Sequence, residues 1–82
     1  ILDVSGCLAL ENLDCTTKIL DLDDCVNLKE LILYDILFLR LESYNSLEYL
    51  YILSRNGVVD IYRCSSLKEW IIMFSDKVLS SQ

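Results

Sequence analysis

Leu2-Asp3-Val4-Ser5-Gly6-Cys7-Leu8-Ala9-Leu10-Glu11-Asn12-Leu13-Asp14-Cys15 contains two short alternating runs, Leu2-Asp3-Val4 and Leu13-Asp14-Cys15, separated by a turn-sized stretch. Alternation with a period of two is the mark of a strand, because successive side chains leave opposite faces. The first run recurs as Leu20-Asp21-Leu22, Leu39-Arg40-Leu41 and Val59-Asp60-Ile61, at spacings of 18, 19 and 20 residues. Three residues past each run comes Cys7, Cys25, Tyr44 or Cys64, and three further on Leu10, Leu28, Leu47 or Leu67. Leu13, Leu31, Leu50 and Trp70 continue the series, then Cys15, Leu33, Ile52 and Ile72, so every matched column is apolar or cysteine.

A unit of this kind cannot bury its inward row alone. Stacked on neighbours about 4.8 Å away, each inward side chain meets its counterpart above and below, and four coils share one core. The expectation is a mainly β solenoid of about four coils, each with two strands. The alternative is a small all-α bundle, because Leu28 to Glu42 and Ser65 to Val78 also carry leucine at helical spacings and Ser66-x-x-Glu69 forms a capping-box pattern. A bundle has no reason to repeat one register four times, which places the solenoid first.

The residues of the first unit carry a resemblance. Leu10-x-x-Leu13-x-Cys15-x-x-Lys18-x-Leu20 and Leu28-x-x-Leu31-x-Leu33-x-x-Ile36 resemble the leucine-rich repeat LxxLxLxxNxL, with Lys18 and Ile36 in place of its Asn. Leu2 to Leu10 with Leu13 and Cys15 is similar to bacterial cell-surface repeats that alternate LDVSxCxxL with LxxLxC. Cys64-Ser65-Ser66-Leu67-Lys68-Glu69 resembles plant immune-receptor repeats, whose longer units rank them second. The resemblance implies a protein-binding module, a concave sheet made by the LxxLxL run, and a cell-surface or secreted setting. Length limits the chain to one domain over residues 1–82, and Ile1, entering directly on the repeat, gives the expectation of a piece of a longer array.

Composition removes several function classes. The chain has 82 residues, 7 Lys plus Arg against 13 Asp plus Glu, and no His, for a formal charge of −6. An acidic surface repels phosphate backbones and anionic lipid heads, and the seven cations form no patch, so neither nucleic acid nor membrane insertion is expected. Without histidine the usual general base, zinc ligand and nucleophile pairs are missing, and no catalytic residue, metal or cofactor is assigned. Asp21, Asp23 and Asp24 lack the spacing of a calcium loop and read as a solvated face. Arg40 stands between Asp21 and Asp60 in the outward column, where it relieves repulsion. Adjacent coils bring Cys7 and Cys25 within disulfide reach, but free buried thiols filling an interior column are the expectation.

The outward columns of the LxxLxL run are Asn12, Glu30, Tyr49, Glu69; Asp14, Ile32, Tyr51, Ile71; and Thr16, Tyr34, Leu53, Met73. The first unit shows only polar groups. The other three present Ile32, Tyr34, Tyr49, Tyr51, Leu53, Ile71 and Met73 with Glu30 and Glu69 at the edge, a combination of apolar anchors and charged rim suited to a protein partner. A neighbouring domain or a second copy is the competing occupant, making the chain a structural spacer or self-associating unit. Leu79 continues the repeat as the start of a fifth unit, with 76–82 as an alternative fold-back cap, and open ends are expected to favour association.

Overall fold

A computed structural model describes residues 1–81, and every element in it is a strand: β1 (Leu2–Asp3), β2 (Asn12–Thr16), β3 (Leu20–Asp21), β4 (Glu30–Tyr34), β5 (Phe38–Glu42), β6 (Tyr49–Leu53), β7 (Val58–Tyr62), β8 (Glu69–Met73) and β9 (Val78–Ser80). The chain winds as stacked parallel coils, a β-solenoid of about four turns. That excludes the helical bundle. β2, β4, β6 and β8 form one parallel row in which Leu13, Leu31, Leu50 and Trp70 are register partners, as are Cys15, Leu33, Ile52 and Ile72. The columns read from the sequence are thus the columns of the sheet.

The second row is not continuous. β1 pairs with β3 and β5 with β7, while the strand pairing between coils two and three on this side is reduced to the isolated Ile19–Phe38 bridge. Between the rows lies the core, with Leu28, Leu31, Leu33, Ile36, Leu41, Leu47 and Leu50 fully enclosed. Each such side chain contributes on the order of 1.5 to 3 kcal/mol by leaving water.

Two consecutive tight turns carry coils one and two from the second row to the first, and coils three and four keep the second of these turns. Cys7 and Cys25 donate their backbone N–H to the carbonyls of Val4 and Leu22, and Leu10, Leu28, Leu47 and Leu67 donate to Cys7, Cys25, Tyr44 and Cys64. The residue before each of these four, Gly6, Asp24, Ser43 or Arg63, has positive φ, between 57° and 75°. Only Gly6 takes this conformation without the Cβ penalty. Asp3 and Asp21 support the turn from behind, each accepting a backbone N–H two residues on, from Ser5 at 2.9 Å and Asp23 at 3.0 Å. The Ser5 hydroxyl, donating to Asp3 at 2.6 Å, together with the Ser5 backbone N–H holds the Asp3 carboxyl below its usual range.

The ends depart from two expectations. Leu79 does not open a fifth coil: β9 turns back and pairs antiparallel with β8, placing Leu79 against Ile72, because β8 otherwise offers an unpaired edge. The fold-back cap holds over 78–80, and Gln82 lies outside the described residues. At the other end Cys7 is exposed rather than interior, and Leu10, Leu13 and Cys15 are only half-buried. Their column is the predicted one, but no coil stacks on its outer side among the described residues. Cys25, one rung in, is fully buried, and all four thiols are free.

Candidate functional site

Alternation within β4, β6 and β8 sends Leu31, Leu33, Leu50, Ile52 and Ile72 into the core and the intervening residues out. All nine predicted face residues come together on that outer surface. Glu30, Tyr49 and Glu69 are one register column, Ile32, Tyr51 and Ile71 the next, and Tyr34, Leu53 and Met73 the third. The middle column is half-buried because it has neighbours on both sides. The third is open, with Tyr34 39%, Leu53 50% and Met73 41% exposed, which is unusual for side chains of this size to present side by side.

A shallow depression of about 230 Å³ lies between these columns, walled by Ile32, Tyr34, Tyr51, Leu53, Ile71 and Met73. The Tyr51 hydroxyl donates to Glu69 Oε1 at 3.1 Å, fixing its ring across two strands. Partial burial, this hydrogen bond and the charges of Glu69 and Glu30 all push the Tyr51 phenol above its usual value. A second depression of about 410 Å³ continues the surface past Tyr34 and Leu53 to Phe74, with Asp35 and Arg55 on its margin.

The column at the entrance to the sheet was not read from the sequence, although its signal is there: Glu11, Lys29, Glu48 and Lys68 alternate in sign. The Lys29 ammonium lies 3.5 Å from Glu11 and that of Lys68 3.1 Å from Glu48. The bond to Glu48 and its charge raise the Lys68 pKa. The backbone repeats the pattern, with Glu11, Lys29 and Glu48 carbonyls each accepting two N–H groups from the next coil. These pairs are exposed and screened by solvent, but opposite charges on successive rungs favour the observed register over a one-coil slip.

The cysteine column has a role that spacing alone did not reveal. Cys25 Sγ donates to the Val4 carbonyl at 3.1 Å and Tyr44 Oη to the equivalent Leu22 carbonyl at 2.8 Å, so one polar atom ties coil two to coil one and coil three to coil two, whereas Cys64 Sγ donates within its own coil to the Tyr62 carbonyl at 3.7 Å. Burial raises the Cys25 thiol pKa, and burial with neighbouring Asp14 raises that of Cys15, which keeps both protonated and unreactive near neutral pH. Burial pushes the Tyr44 phenol up to about 12, with Asp23, Cys25, Asp21 and Cys64 adding to the shift.

The acidic side places its residues differently from expectation. Arg40 is in register with Asp60, but its ion pair is with Glu42, at 3.7 Å, and the ladder does not continue from it to Asp21. Asp23, Asp24, Arg40, Glu42 and Tyr44 border an open cleft of about 630 Å³ between coils two and three. Among the described residues no group of three or more Asp, Glu or Cys is arranged to hold a metal ion, and no helix is long and apolar enough to cross a membrane. Compared with family models, with curated proteins and with solved structures, the chain gives no significant match in any of the three.

Proposed function

We propose that the chain is a leucine-rich-repeat type module that binds a protein partner, without catalysis, through the outer face of β4, β6 and β8. The observation that carries this reading is the contiguity of the face: Ile32, Tyr34, Tyr51, Leu53, Ile71 and Met73 form one apolar surface, rimmed by Glu30 and Glu69. Large side chains left in water on adjacent strands offer desolvation energy to an incoming surface, and the rim selects among partners. Rigid backing from the core keeps the ordering cost of binding low. A broad, shallow surface of this kind suits protein contact better than enclosure of a small substrate.

A self-associating assembly unit, its apolar face spent on copies of itself, is the second reading, and the open column Tyr34, Leu53 and Met73 on that face favours it. The double variant Tyr49→Ser, Tyr51→Ser separates the two. The binding reading expects a wild-type chain that stays monomeric in light scattering over a wide concentration range, and a folded variant, by circular dichroism, that loses capture of a specific partner. A wild-type chain that oligomerises through this face, with the variant monomeric, replaces binding by assembly.

A further inference from the structure

The five strands of the main sheet, β2, β4, β6, β8 and β9, contain no Lys or Arg, whereas they carry the outward carboxylates Asp14, Glu30 and Glu69. At the sheet entrance Glu11 and Glu48 are paired with lysines. Glu30 and Glu69 have no ion pair among the described residues, and Glu30, in register between Asn12 and Tyr49, is half-buried without a counter-ion. Charge complementarity then specifies the partner more closely than apolarity does. Glu30 on β4 and Glu69 on β8 are two rungs apart, about 10 Å at the usual strand spacing of about 4.8 Å.

An extended partner strand places same-side residues at about 6.6 and 13 Å, which straddles that distance. Residues i and i+7 of a helix lie about 10.5 Å apart on one face, and i+3 and i+4 fall between them on the same side. Resting on the binding reading above, we infer that the sheet face receives an amphipathic cationic helix of a partner protein, laid across the strands. Two Lys or Arg side chains seven residues apart meet Glu30 and Glu69. The apolar residues between them cover Tyr49 and Tyr51 and reach into the depression between Ile32, Leu53 and Met73.

The probe is a fifteen-residue helical peptide with lysines at its fourth and eleventh positions and leucines at the seventh and eighth, compared with a copy bearing glutamates for the two lysines. Binding is followed by backbone amide shifts of the chain. The expected result is saturable shifts confined to β4, β6 and β8 with the lysine peptide, weakening as salt rises, and at least about tenfold poorer binding by the glutamate peptide. The folded double variant Glu30→Gln, Glu69→Gln shows a comparable loss with the lysine peptide, and each single variant a part of it. Equal binding of both peptides, or an unchanged affinity in the double variant, overturns the cationic-helix inference while leaving the face as a binding surface. Failure of both peptides overturns the inference too, and the Tyr49→Ser, Tyr51→Ser experiment then decides the face independently. Shifts centred on the acidic cleft by Arg40 and Tyr44 contradict both.

Discussion

The two rows of strands come from one repeated unit, yet the row through β2, β4, β6 and β8 runs unbroken while the other stops between β3 and β5. From Leu2 to Thr16, Leu20 to Tyr34, Leu39 to Leu53 and Val59 to Met73 the chain length is constant, so the turns entering the first row are identical in span. The return is not constant: Thr16 to Leu20, Tyr34 to Leu39 and Leu53 to Val59 lengthen by one residue each time. Lengthening alone does not break the second row, because β5 and β7 pair along five residues after the longest return. Tyr44 distinguishes the broken position. It brings a ring to a column otherwise held by cysteine, and its hydroxyl takes the Leu22 carbonyl that borders the gap. The difference shows which side of a coil tolerates irregularity, and the candidate site lies on the side that does not.

The largest effect is expected in the unbroken row. Leu50 is fully buried between Leu31 and Trp70, and Leu50→Ala should cost about 2–5 kcal/mol, measured by denaturant unfolding. Leu41→Ala, at an equally buried position of the other row with a strand partner, Ile61, on one side only, should cost less. Equal losses erase the distinction between the rows. Next comes the longest return, where a Cβ on Gly57 would lie 2.6 Å from the Ile36 carbonyl oxygen. Ser54 is buried beside it, its hydroxyl 2.8 Å from the carbonyls of both Ile36 and Asn56. Gly57→Ala should therefore cost about 1–3 kcal/mol and loosen β7. A neutral outcome places that return elsewhere.

The smallest effect tests the gap. Tyr44→Phe keeps the ring and removes one hydrogen bond, for a loss of about 1 kcal/mol. The wild-type phenol is raised from 10.0 to about 12, so folding favours its protonated form. The stabilisation is complete below pH 10 and falls away as pH rises towards 12. Tyr44→Phe should remove that component of the alkaline loss in unfolding experiments, and ultraviolet titration should show one tyrosine ionising last in the wild type alone. A variant with the full wild-type alkaline loss assigns it to other groups.

Much of this was written in the sequence because inward residues are chemically uniform: Leu31, Leu50 and Trp70 line up at offsets that are the true register. The nine face residues followed, since a strand that buries one set of side chains must expose the other. Burial at the ends was not legible. A column tells which way Cys7 points, but not whether another coil covers it. Nor did Leu79 declare its direction, because the same apolar residue fits a parallel fifth rung or the antiparallel return that β9 makes. Glycine marked only one of four equivalent left-handed turns; at Asp24, Ser43 and Arg63 the stack imposes a conformation that residue type does not announce. The alternating Glu11, Lys29, Glu48, Lys68 column was visible but lay outside the apolar pattern that organised the reading.

Methyl-resolved nuclear Overhauser spectroscopy tests the central claim, that like residues stack rung on rung and thereby assemble the face. Strong cross-peaks are expected between Leu31 and Leu50, between Leu33 and Ile52, and between Ile32 and the Tyr51 ring, on opposite faces of the same strands. Absence of these contacts, with peaks instead between residues three and four apart within Leu28 to Glu42, would contradict the solenoid and remove the binding surface with it.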